Sequence, residues 1–169
     1  MAACSCQPHP DDPAEPRECP RSRTQGHAVD LNTVKALLAS SALARITGSP
    51  HRFCPDPGCE IVYFSAGGTF TGRDLRVPVW QKEPGGARMV CYCFGENEAD
   101  IRREIEEQGA SQAVERVRAH ITAGRCACQL RNPRGVCCLG DVIAAVKRMA
   151  AARRRASGRS RLDGQIPER

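Results

Sequence analysis

Cys126-Ala-Cys-Gln-Leu-Arg-Asn-Pro-Arg-Gly-Val-Cys-Cys-Leu-Gly140 places four of the chain's eleven cysteines in fifteen residues, and Cys91-Tyr-Cys-Phe-Gly95 adds two more. Helical patterns surround both stretches. Asn97 can cap a helix running to about Gln108, with Ile101 and Ile105 on one face. Ser111 can cap the next, which carries Ala113, Val114, Val117 and Ile121 before Gly124 ends it. A third starts near Leu139, with Val142, Ile143, Val146 and Met149. Cysteines 91, 93, 126, 128, 137 and 138 therefore all fall just outside helices. Helix N-termini expose unpaired N–H groups and a partial positive charge, surroundings that suit thiolates. Gly95, Gly135 and Gly140 allow close backbone approach to such sulfurs. Four thiolates from two separated segments suit a [2Fe–2S] cluster or a zinc ion, and spacing alone does not separate these.

Disulfides are the competing use of so many cysteines. The start, Met1-Ala-Ala-Cys-Ser-Cys, has neither a basic n-region nor an apolar h-region, and no apolar run reaches the length of a membrane span. A cytoplasmic location is expected, without membrane insertion, and there closely spaced thiols bind metal. The odd cysteine count points the same way. Only 4% of residues are aromatic, with Trp80 the sole tryptophan, so the chain has few large side chains for a deep core. Metal ions compensate for thin cores in small domains.

The front half reads differently. Residues 1–18 hold four prolines and clustered charge, the composition of a disordered lead-in. From Asp30 to about Leu43, Leu31, Val34, Leu37, Leu38 and Leu43 recur at helical spacing, with Gly48 and Pro50 as stops. Cys59-Glu-Ile-Val-Tyr-Phe-Ser65 reads as a strand turned by Gly67-Gly68, and Leu75-Arg-Val-Pro-Val-Trp80 as an edge strand. A helix plus a small antiparallel sheet is predicted, divided from the helical half by Lys82-Glu-Pro-Gly-Gly-Ala-Arg88. Charge is equally uneven. From Lys147 to the end eight Lys/Arg face two Asp/Glu, so the whole net charge of +6 lies there. With no aromatic or groove-reading motif beside it, this basic segment reads as a solvated helix end, and nucleic acid is not an expected partner.

The two cysteine motifs, with the helical stretch between them, resemble the iron–sulfur part of the CopZ-type copper chaperones and, more distantly, the helical [2Fe–2S] module of bacterioferritin-associated ferredoxin. Phe53-Cys-Pro-Asp-Pro-Gly-Cys-Glu-Ile-Val-Tyr-Phe64 and Lys82-Glu83 resemble the zinc-binding part of the same chaperones. The resemblance implies an α+β fold, with a small zinc-binding sheet-plus-helix subdomain over 19–84 and a helical BFD-like [2Fe–2S] subdomain over 88–150. A basic tail over 153–169 would follow. It implies Cys91, Cys93, Cys128 and Cys138 as cluster ligands, leaving Cys126 and Cys137 spare, and Cys19, Cys54 and Cys59 as zinc ligands. The family's Cys-Pro-x-Cys-Gly knuckle reads Cys19-Pro-Arg-Ser22-Arg23 here, so serine stands at the second cysteine position. Three thiolates remain where structural zinc takes four ligands. His27, His51, Asp56, a water, Cys4 or Cys6 could complete the set, or zinc could be lost and the thiols simply pack. His120 reads as an ordinary helix-surface residue.

The implied function is copper homeostasis: binding Cu(I), with soft thiolates such as Cys4/Cys6 or Cys126/Cys137 as receivers, and donation of one electron. The implied partners are metal ions and a copper-exporting ATPase or other copper-handling protein. The sequence has no Met-x-Cys-x-x-Cys transfer motif. The alternatives are a [2Fe–2S] electron carrier or redox sensor with no copper role, and a structural metal module that docks on a partner. No triad, phosphate loop or paired-carboxylate site is evident, so an enzyme is not expected.

Overall fold

The computed structural model describes residues 15–163. Most of the lead-in, with Cys4 and Cys6, lies outside that range, whereas Glu18 already pairs with Gln25 in an antiparallel bridge. The front half is a four-stranded antiparallel sheet in sequential order, β1 (His27–Val29), β2 (His51–Phe53), β3 (Ile61–Ser65) and β4 (Gly68–Thr71). The predicted helix over 30–43 is two pieces, α1 (Leu31–Leu37) and α2 (Ser40–Leu43). Asp30 caps α1 by accepting from the Asn32 N–H at 2.7 Å. The break follows from pairing elsewhere. Leu38 turns extended and bridges Leu75, the Ala39 N–H donates to the Asp74 carbonyl, and the Arg76 N–H donates to the Leu37 carbonyl. That pairing also corrects the predicted strand over 75–80. Only Leu75 makes a bridge, and the sheet's outer strand is instead Gly68–Thr71.

Every residue of β3 is buried, so both faces of this strand are covered. A bulge between Ile61 and Tyr63 breaks the strict alternation of side chains. Val62 and Tyr63 consequently join Val34, Leu38, Phe53 and Phe70 in one apolar core. Ile61 and Phe64 pack instead with Cys19, Cys54 and Cys59. A fully buried Val, Leu or Phe side chain contributes roughly 1.5–3 kcal/mol, so a few residues suffice for so small a layer.

The back half begins with a short hairpin, β5 (Met89–Cys91) and β6 (Glu96–Asn97), followed by α3 (Glu98–Gln108), α4 (Ala113–Thr122), α5 (Cys128–Arg131) and α6 (Leu139–Asp163). Asn97 caps α3 as its position predicts, accepting from the Asp100 N–H at 2.9 Å. Ser111 sits one residue ahead of the cap position of α4. Its Oγ accepts from the Ala113 N–H and donates to Glu104. Ile101, Ile105, Val117 and Val142 form a second core with Cys91, Cys128 and Cys138. The helix α6 runs on into the basic segment, where Arg148 pairs with buried Glu98 and Arg153 donates to the Glu106 carbonyl, so part of that charge fastens α6 to α3. Among the described residues no helix is long and apolar enough to cross a membrane.

Hydrogen bonds join the halves, and the first of them is buried. The Tyr63 hydroxyl donates to the Pro133 carbonyl at 2.7 Å, and Thr33 Oγ1 donates to the Gln129 carbonyl at 2.6 Å. Gly135 allows this contact: its φ is +69°, and a Cβ there would lie 3.1 Å from Thr33 Oγ1. The Tyr92 hydroxyl, between two cysteines of the back half, donates to the Pro78 carbonyl and accepts from the Trp80 N–H.

Candidate metal centres

Three arms gather the first centre. Cys19 opens a tight turn in which the Arg23 N–H donates to the Cys19 carbonyl and the Cys19 N–H to the Thr24 carbonyl, both at 2.9 Å. Cys54 leaves β2 with its N–H on the Val62 carbonyl. Cys59 closes a loop held by Asp56, whose carboxylate accepts from the Gly58 N–H. Lys82 ties that loop down by donating to the Asp56 carbonyl at 2.7 Å, with its ammonium over the Phe53 ring. The three sulfurs lie within 4.8 Å of one another, with Cys19 and Cys59 at 3.8 Å, and all three residues are buried. A tetrahedral zinc with Zn–S bonds of about 2.3 Å has S···S edges of about 3.8 Å, so the spacing fits such an ion.

The electrostatics suit cation binding. Burial pushes the Cys19 thiol up, but hydrogen bonds from the Ser22 side chain and from nearby backbone outweigh it and bring the group to about 7. Burial, together with the neighbouring thiols, raises Cys59. Three close thiols cannot all ionise without a compensating positive charge, and a divalent cation supplies one. Among the described residues no histidine or carboxylate joins the three sulfurs. His51 is buried against Phe70, His27 is exposed at the start of the sheet, and Asp56 is used within its own loop. Ser22 does reach the centre, with its Oγ 3.4 Å from Cys54 Sγ.

The second centre draws on both cysteine motifs. Cys91 ends β5, Cys93 lies in the following turn, Cys128 opens α5 and Cys138 precedes α6. Cys93 and Cys128 are 3.7 Å apart, Cys91 and Cys138 2.7 Å apart, and Cys128 also interacts with Cys138. The first two contacts each pair one thiol of the first motif with one of the second, and the third lies within the second motif. Among the described residues no three of these four share the compactness of the Cys19/Cys54/Cys59 group. The donor set is all sulfur, and its uneven spread differs from a single tetrahedral ion, around which every sulfur pair would be equally close. Cys91 is drawn down to about 7 by its contact with Cys138, whose own thiol is pushed up by Cys91 and by burial. The Ala127 N–H points at Cys93 Sγ at 3.3 Å, a donor that stabilises negative charge on sulfur.

Cys126 and Cys137 are exposed, whereas Cys128 and Cys138 beside them are buried. Gly95 and Gly135 adopt positive φ next to the cysteine motifs, while Gly140 is helical with open space where a Cβ would stand. His120 is not an ordinary surface residue. It stacks on Phe94 with ring centroids 4.3 Å apart, beside Cys93. The aromatic at 94 and the histidine at 120 are far apart in sequence, and only the fold of α4 over the hairpin brings them together.

Comparison with known proteins places the first centre in context. The profile of a family described as a zinc binding domain, zf_CopZ, matches residues 16–76, which include Cys19, Cys54 and Cys59. Among solved structures, the X-ray structure of the Archaeoglobus fulgidus CopZ N-terminal domain is similar at a TM-score of 0.61 and 33% identity. The match covers 72% of this chain and 91% of that one. No curated protein matches.

Proposed function

Given that the chain belongs to the family of the CopZ N-terminal domain, we propose that it is a two-centre metalloprotein of copper homeostasis. Zinc is held by Cys19, Cys54 and Cys59, and a [2Fe–2S] cluster by Cys91, Cys93, Cys128 and Cys138 in a BFD-like helical module. The observation that carries this reading is the separation of seven cysteines into two groups of different shape, one compact and one extended. When bound, the cluster supplies one-electron chemistry. The chain's own residues shield it: Cys91 and Cys138 are almost wholly buried, and the Ile101, Ile105 and Val142 side chains exclude water from that side. The exposed thiols Cys126 and Cys137 are left free to meet Cu(I), the soft ion that prefers sulfur to nearby nitrogen and oxygen. A copper-exporting ATPase or another copper-handling protein is the corresponding partner, the setting is cytoplasmic, and no substrate turnover is assigned.

Competition against a Cu(I) chelator tests the copper role on protein purified without oxygen and carrying its cluster. Withdrawal of copper, lost when Cys126 and Cys137 are both replaced by serine and reduced when Cys4 and Cys6 are, supports it. A holo-protein that takes no copper yet is reversibly reduced by one electron is an electron carrier or redox sensor. The burial of three of the four cluster cysteines gives that second reading its support, since it suits electron transfer without ligand exchange.

A further inference from the structure

Ser22 stands where the knuckle that this chain resembles carries a cysteine, in a turn closed by backbone hydrogen bonds. Arg23 adopts φ +61°, alone among the described non-glycine residues, in a region that costs an L-residue roughly 1–2 kcal/mol. A side chain is held there although glycine would fit without strain, and the turn hydrogen bonds from Arg23 and Cys19 are both made. The consequence is positional. Ser22 Oγ lies 3.4 Å from Cys54 Sγ and accepts from the Thr24 N–H at 3.4 Å, as a ligating sulfur in a knuckle would. A tetrahedral zinc with bonds of about 2.3 Å to sulfur and about 2.0–2.1 Å to oxygen has an S···O edge of roughly 3.5–3.6 Å. The serine oxygen therefore stands from Cys54 at close to the distance of a fourth corner. Unlike the three buried cysteines, Ser22 is half-buried, so this corner faces solvent.

We infer that the Ser22 hydroxyl oxygen is the fourth zinc ligand, making a three-sulfur, one-oxygen site with one weak, solvent-facing bond. The inference rests on the zinc reading above. A neutral hydroxyl replaces a thiolate, so the complex of Zn²⁺ with three thiolates carries one negative charge where four would give two. The Ser22 bond is the first to open, and it gives an incoming thiol or chelator access to the ion. The knuckle thus holds zinc in an exchangeable form, in contrast to a closed structural site.

Zinc K-edge X-ray absorption and zinc release to a chromophoric chelator test this on the full-length, cluster-loaded chain, since both respond to zinc and not to iron. Wild type should show three sulfur scatterers and one oxygen. Ser22→Cys should show four sulfurs and release zinc on the order of tenfold or more slowly. Ser22→Ala should release it faster by a similar factor, while iron content and thermal stability of the back half stay unchanged. Four sulfurs in wild type, or a Ser22→Ala protein with unaltered release, overturns the assignment of Ser22 while leaving the zinc site in place. Wild type without zinc, or zinc that persists after Cys54→Ala, overturns the zinc reading and this inference with it.

Discussion

The Tyr63 hydroxyl and the Pro133 carbonyl, 70 residues apart in the chain, meet at 2.7 Å in a buried hydrogen bond. Tyr63 belongs to the inner strand β3, whose next residue packs with Cys19, Cys54 and Cys59, and Pro133 lies between Cys128 and Cys137 in the loop before α6. This bond joins the two halves close in sequence to both cysteine groups. Tyr63→Phe keeps the ring and strands the carbonyl, so stability should fall by about 1–3 kcal/mol. Thermal unfolding measures the loss, and iron release from the back half should quicken in parallel. Unchanged iron release would show that the halves are joined in space but independent in stability.

Cys126 and Cys128 differ in burial and so in expected consequence. Cys128→Ser and Cys91→Ser should each abolish the visible absorption of the cluster and loosen the α3–α4–α6 packing, because both side chains are part of that core. Cys126→Ser should retain most of the iron. Iron analysis with near-UV circular dichroism distinguishes these outcomes.

Gly26 faces the Phe64 ring so closely that an added Cβ would sit 2.4 Å from it and 2.8 Å from Arg52 Cβ. Gly26→Ala should therefore cost about 1–3 kcal/mol of strain. Since Phe64 packs with the three front cysteines, zinc release should accelerate as well. Chelator kinetics and thermal unfolding check the two effects together.

Glu104 receives the Ser111 hydroxyl at 2.6 Å, the Gln112 N–H at 2.9 Å and the Arg116 guanidinium at 2.7 Å. Burial raises its pKa, but these bonds outweigh it and hold the carboxyl below its ordinary value of 4.5. The folded state therefore favours the ionised form. The stabilisation is fully present above pH 4.5 and is lost as pH falls through the lower folded value. Glu104→Gln should be less stable than wild type near neutrality, and the difference should shrink in acid. Paired denaturant titrations at each pH measure this difference, because the two proteins differ at this residue alone.

Much of the helical half is legible because its signals are local. Asn97 stands at a cap, and Ile101 and Ile105 keep their spacing, so α3 forms where it is predicted. The strands His27–Val29 and His51–Phe53 are three residues each, too short for an alternating pattern to be visible. Leu75–Trp80 carries a strand-like pattern, but Pro78 offers no N–H to a ladder and Leu75 and Arg76 pair with the end of α1 instead. The same pairing cuts the helix at Leu38, a tertiary effect that helical spacing cannot encode. Ser22 is visible in the sequence as a departure from a knuckle. Its place 3.4 Å from Cys54 depends on the strained turn at Arg23, which nothing in the residue type announces.

Metal content of the full-length chain, purified without oxygen, tests the two-centre account most directly when wild type, Cys54→Ala and Cys91→Ser are compared. Wild type should hold about two iron, two sulfide and one zinc per chain. Cys54→Ala should lose zinc and keep iron, and Cys91→Ser should lose iron and keep zinc. A colourless wild-type protein with zinc at both cysteine groups, or iron that disappears with Cys54 and not with Cys91, would contradict it.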